Sequence, residues 1–145
     1  MSKAFTKDEA WEEPIIPPRA PVPAGVPNYV TPRGLGLLRT ELAALEADRH
    51  GLEAERSDGD EYRRQLAILS ARMSDLTARI ASAVVVDPRH QPRDAVRFGA
   101  VVTLRTLRGE HAREERRLEI VGVDEGEVAR GRIAFSTSGD RVAPT

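Results

Sequence analysis

Apolar residues recur along the middle of the chain in steps of three and four. Leu35, Leu38, Leu42 and Leu45 lie 3, 4 and 3 residues apart; Leu52 follows a heptad later, with Arg49 interrupting the series. Tyr62, Leu66, Leu69, Met73, Leu76, Ile80 and Val84 then step by 4, 3, 4, 3, 4 and 4. Such alternation draws one apolar stripe down each of two helices, as coiled-coil packing requires. Thr31 supplies an N-cap, and Pro32 a first helical residue whose missing N–H costs nothing. A short polar turn should fold the helices back as an antiparallel hairpin over residues 31–86. Its core is expected on Leu38, Leu42, Leu66, Leu69 and Met73.

Past "VVVDP" the period changes. "VRFGAVVTLRTL", "RRLEIVGV" and "RGRIAFST" are rich in β-branched residues and read as three strands of a small β domain over residues 93–145. The fold class is therefore α+β. Three strands with no covering helix make a small core, and an uncovered sheet edge favours association, so self-association is an open alternative. Residues 1–30 are expected to be a disordered, proline-rich tail: "PIIPPRAPVPAGVPNYVTP" holds seven of the ten prolines, which bias the backbone toward extended shapes. Trp11 stands among acids in "DEAWEEP", a lone aromatic that suits a partner anchor.

Composition narrows the function. Cys is absent, which removes disulfide and thiolate chemistry and fits a reducing compartment. No apolar run approaches the ~18 residues of a membrane span, and the N-terminus lacks a basic-then-apolar signal; a cytoplasmic protein is expected. Formal net charge is −1. Residues 31–83 carry eight basic and nine acidic groups, and residues 93–145 carry ten and nine. With no basic arm to grip phosphates, direct sequence-specific binding of nucleic acid is not expected.

The strongest candidate chemistry is at the hairpin tip, where "EAERSDGDE" places five carboxylates in nine positions. Capping explains part of it. Asp58 with Glu61, or Ser57 with Asp60, has capping-box spacing, and acids suit the first turn of a helix. The other reading is a Mg²⁺ ligand pair, because Mg²⁺ often takes only one or two protein carboxylates and completes its shell with water or phosphate. His50, His90 and His111 lack the spacing of a helical zinc site. No phosphate-cradling glycine loop or nucleophile motif is present, so an independent enzyme is not expected.

"NYVTPRGLGLLRTELAAL", "RIASAVVVDP", "FGAVVTL" and "EIVGVDE" together resemble the GreA/GreB family of bacterial transcription elongation factors, over roughly residues 28–137. The resemblance implies a coiled coil that enters the secondary channel of RNA polymerase and an FKBP-like β domain that docks at the channel rim. It also implies an acidic pair at the tip that helps hold a second Mg²⁺ in the polymerase, stimulating the polymerase's own cleavage of backtracked RNA by two-metal chemistry. Aligned on Tyr62, Glu55 and Asp58 take the places of that pair, with Asp60 and Glu61 beside them. Aligned backward from "VVVDP", the tyrosine position falls on Gly59 instead. The acid types are swapped and the family's Asn is missing. The hairpin is also about a dozen residues shorter than the family's, roughly 10 Å less reach at ~1.5 Å per residue. The family continues into a helix and two more strands where this chain reads "STSGDRVAPT", so the β domain is expected to be incomplete. A coiled-coil module that pairs with itself or an adaptor is the alternative function.

Overall fold

The computed structural model describes residues 14–135. Strand β1 (Asn28–Val30) leads into helix α1 (Pro32–Ala54); helix α2 (Asp60–Ala81) returns to strand β2 (Ala83–Val85). Strands β3 (Val101–Arg105), β4 (Glu115–Val121) and β5 (Arg132–Ala134) follow. The architecture is α+β: a two-helix hairpin and then a small sheet. No helix among the described residues is long and apolar enough to cross a membrane.

Thr31 caps α1 as expected. Its backbone is extended, and its Oγ1 accepts a hydrogen bond from the Gly34 N–H at 2.9 Å. The helix runs for 23 residues, about 34 Å at 1.5 Å per residue, and α2 for 22. The two pack as the heptad spacing requires, but the deepest burial lies at the base. Leu38, Leu76 and Val30 form the core there, with Leu35, Leu42, Leu45, Ile80 and Ala83 packed around them. Leu66, Leu69 and Met73, expected as core residues, are half-buried farther along α2 and stand outside that cluster.

Two further expectations differ from the structure. Val84 belongs to β2 and is 44% exposed, not to the helical seam, because α2 stops at Ala81. Residues 28–30, assigned to the disordered tail, form β1, which pairs in parallel with β2 in the register Asn28↔Ala83 to Val30↔Val85. Long-range contacts override the local proline bias here. Asn28 Nδ2 donates to the Arg79 carbonyl and to Ser82 Oγ, both at 3.0 Å, and so satisfies the C-terminal end of α2. Residues 1–13 and the tail after residue 135, including Trp11, lie outside the described residues.

The sheet is mixed, not antiparallel throughout. β3 pairs antiparallel with β4, but β5 pairs parallel with β4. Parallel neighbours need a crossover connection, and residues 122–131 provide one through two 3₁₀ turns, Val123–Glu125 and Val128–Arg130. Gly131 ends it at φ 69°, where an added Cβ would meet the Arg117 carbonyl oxygen at 2.6 Å. Tyr29 of β1 joins the sheet to the hairpin. Its ring lies 5.7 Å from Phe98 and 6.0 Å from Phe135, in the tilted and edge-on arrangements aromatic pairs favour.

Candidate functional site

The hairpin presents two sites, a base that fixes its direction and a tip that faces solvent. At the base, Glu125 is buried, with its side chain 2% exposed. A buried carboxylate is tolerated only where charge and hydrogen bonds compensate it, and α1 supplies both. Thr31 Oγ1 donates to Glu125 Oε2 at 2.6 Å, and Arg33 Nε donates to Oε1 at 2.5 Å. The carboxylate therefore sits at the positive end of the α1 dipole. Gly34 makes room for it: a Cβ there would lie 2.7 Å from Glu125 Oε2. Arg33 also donates to Glu119 at 2.9 Å, and this bond leads the interactions that raise its pKa above the ordinary arginine value.

Asp124 makes a second tie. Arg19 donates to it at 3.1 Å while binding Glu41 of α1 through both terminal nitrogens, at 2.7 and 3.1 Å. The bond to Glu41 is the main reason the Arg19 pKa is raised. Arg79 of α2, nearly buried, lies 3.4 Å from Asp124 Oδ2 and donates to the Ala20 carbonyl. Both helices, the segment before them and the crossover of the sheet thus meet through charged groups. Sequence reasoning passed over Arg19, Arg33, Asp124 and Glu125. The available signal was Gly34, since a glycine inside a helix costs about 1 kcal/mol and needs a packing reason.

At the tip, residues 55–59 join the helices. Glu55 is the C-cap of α1, and its N–H bonds the Leu52 carbonyl at 3.2 Å. Arg56 follows at φ 48°, the left-handed position that glycine usually takes after a helix. The capping role expected of Asp58 is not used. The N-cap of α2 is Gly59, with no side-chain cap bond, so neither Asp58–Glu61 nor Ser57–Asp60 acts as a capping box. Asp60 and Glu61 do occupy the first turn, where the helix dipole favours them. Asp60 pairs with Arg63 at 3.3 Å, and Glu61 accepts from Gln65 at 2.8 Å. Tyr62 is half-buried.

Glu55 and Asp58 are exposed, and their carboxylates make no hydrogen bond or ion pair among the described residues. Their oxygens are the donor type Mg²⁺ takes. No group of three or more His, Cys, Asp or Glu side chains able to hold a metal occurs among the described residues. The two carboxylates do not form a cage of their own. His90 lies 3.6 Å from Asp87 and His111 2.9 Å from Glu114, both at the surface.

No protein-family model matches the chain. Similar proteins do. Transcription elongation factor GreB of Neisseria meningitidis serogroup A is 34% identical over 122 residues, a match covering 74% of this chain and 72% of that protein. Transcription elongation factor GreA of Psychrobacter sp. (strain PRwf-1) is 31% identical over 122 residues, covering 74% and 75%. GreA of Brucella canis is 31% identical over 121 residues, with the same two coverages. As 74% of 145 residues is about 107, a match 122 positions long leaves about 15 positions that the GreB relative fills and this chain does not.

Proposed function

We propose, for a chain that belongs to the GreA/GreB family of transcription elongation factors, that it binds RNA polymerase and inserts its helical hairpin into the secondary channel to modulate elongation. The observation that carries this reading is the contrast in the hairpin itself. Its base is tied to the sheet through buried Glu125, while its tip holds two carboxylates, Glu55 and Asp58, with no partner among the described residues. Such a projection suits a site completed by another protein. If the tip reached a polymerase-held Mg²⁺, Glu55 and Asp58 are the residues that would help hold it, and the ion would polarise the phosphate and activate water. The chain acts through the polymerase and not as an enzyme alone.

Reach decides how far the tip acts. The deficit of about 15 positions against the GreB relative is similar in size to the dozen or so residues by which the hairpin falls short. Mg–O distances are about 2.1 Å, so a tip held back by roughly 10 Å cannot share the ion. The expected result on stalled, backtracked elongation complexes is polymerase binding with weak or no stimulation of transcript cleavage. Clear stimulation would show that the tip reaches the metal; changing Glu55→Ala and Asp58→Ala together should then abolish it without loss of binding. Failure of the full chain to co-elute with core polymerase at low salt would overturn the reading.

A further inference from the structure

The two edges of the small sheet differ. In the order β3-β4-β5, β3 and β5 each have one neighbour. β5 is three residues long, and its Arg132 exchanges backbone hydrogen bonds with Glu127 at 2.9 and 3.0 Å. Short length, charge and a covering segment are the devices that keep an edge from pairing with another chain. β3 has none of them. It is five residues long, contains no proline, and its one charged residue, Arg105, is already bonded to Glu115 at 2.7 Å. Among the described residues no strand or bridge lies on its outer side.

The bonds from β3 to β4 show which backbone groups are left open. The Ile120 N–H donates to the Ala100 carbonyl and the Thr106 N–H to the Glu114 carbonyl, each at 3.0 Å. Hydrogen-bonded pairs alternate along an antiparallel ladder, so Val102 with Leu118 and Leu104 with Arg116 complete that set. Val101, Thr103 and Arg105 therefore turn their N–H and C=O groups outward, and all three residues are exposed.

This edge is self-complementary. A second β3 laid antiparallel, with Thr103 on the two-fold axis, pairs Thr103 with Thr103 and Val101 with Arg105, each pair exchanging two hydrogen bonds. Between them fall the closer, non-hydrogen-bonded pairs of Val102 with Leu104. These pairs matter because Leu104, 50% exposed, faces Arg116 across the ladder and has no apolar partner on β4. The other copy's Val102 would supply one, extending the apolar row that Val102 and Leu118 begin. The two Arg105 residues end four positions apart, ~14 Å at 3.4 Å per residue and beyond the screening length of ~8 Å, and each keeps its own Glu115. Continued by two residues, the same register sets Leu107, 83% exposed, opposite Gly99 of the other copy, where 56%-exposed Val96 helps line an open cleft.

We propose that two copies of this chain associate edge to edge through β3, joining their sheets across a two-fold axis at Thr103. A two-fold contact closes on itself, so assembly stops at the dimer. The surface is the sheet and not the helical hairpin, and the inference does not depend on the polymerase reading.

Sedimentation equilibrium of the full chain tests this. A contact of two strands is at the small end of interfaces, under ~1,200 Å². The mass should therefore rise from one chain toward two between about 5 and about 500 µM, and no further. Thr103→Lys sets like charges face to face on the axis, as does Thr103→Glu, and each should raise the dissociation constant about tenfold or more. An equal mixture of the two variants should bring it back near the parent value, because Lys then meets Glu. Thr103→Pro removes a donor that β4 does not use. It should abolish the dimer with circular dichroism unchanged, and it keeps the test open if a charge variant misfolds. A single-chain mass over the whole range would overturn the proposal, as would a mass that climbs past two chains. So would a dimer that tolerates all three substitutions, or charge variants that stay monomeric when mixed.

Discussion

The base and the tip of the hairpin both carry acidic side chains, yet they use them in opposite ways. At the base, the Glu125 carboxylate is buried against Thr31, Arg33 and Gly34, and α1 begins where that carboxylate needs donors. At the tip, Glu55 and Asp58 stand in solvent, α2 begins at Gly59 with no side-chain cap, and Arg56 holds a left-handed backbone. The base spends its charge on holding one geometry. The tip gives up helix capping and keeps its carboxylates available. The contrast separates an end tied into the fold from an end whose carboxylates stand open to solvent.

The largest effect should come from the apolar floor of the base. Leu76→Ala removes a wholly buried side chain and should cost about 2–5 kcal/mol. Leu66→Ala, half-buried toward the tip, should cost clearly less. Chemical denaturation of the two variants checks this, and equal losses would mean that the base holds no privileged core.

Next comes the buried carboxylate. Glu125→Ala should cost about 1.5–3 kcal/mol, the range for hydrogen bonds to charged groups. Gly34→Ala gives a sharper form of the same test. On helix propensity alone alanine would stabilise α1 by about 1 kcal/mol, but its Cβ would lie 2.7 Å from Glu125 Oε2, so a net loss is expected. In the Glu125→Ala background the sign should reverse. A Gly34→Ala variant as stable as the parent would show that the helix start does not need Glu125 where it is.

The tip should be insensitive by the same measure. The pair Glu55→Ala and Asp58→Ala should change stability by no more than about 0.5 kcal/mol, as exposed residues without partners do. A loss above 1 kcal/mol would return the two acids to a structural role.

The smallest effect concerns Asp87, at the surface between the hairpin and the sheet. Hydrogen bonds from the Arg89 side chain, then from its backbone N–H, lower the Asp87 pKa from 3.8 to about 2. A depressed carboxylate contributes stability that is complete above the unfolded pKa and lost as pH falls through the folded one. The contribution should thus be constant at neutral pH and fade between about pH 4 and 2. An NMR titration of the carboxyl carbon should place its midpoint near 2; a midpoint near 4 would show that the Arg89 contact is absent in solution.

Much of the fold was legible from one dimension, because periodicity is a local property. The 3–4 spacing gave both helices to within a few residues, Thr31 and Pro32 marked the start of α1, and β-branched runs marked β3, β4 and β5. The failures were of a different kind. Asp58 has capping-box spacing, but spacing records which bonds are possible and not which the backbone adopts, and the turn chose Gly59. Residues 28–30 follow a proline-rich stretch, yet become a strand because β2 and the Arg79 carbonyl offer partners more than 50 residues away.

What the sequence determined alone was therefore the two helices, strands β3 to β5, the family and the presence of an acidic tip, since each follows from residue type and spacing. What only tertiary structure decided was the burial of Glu125, the parallel pairing of β4 with β5, and the ties of Arg19 and Arg79 to Asp124. These join residues up to 105 positions apart. Their energies depend on desolvation and on partners brought together by the whole fold, and neither is written in any local pattern of residues.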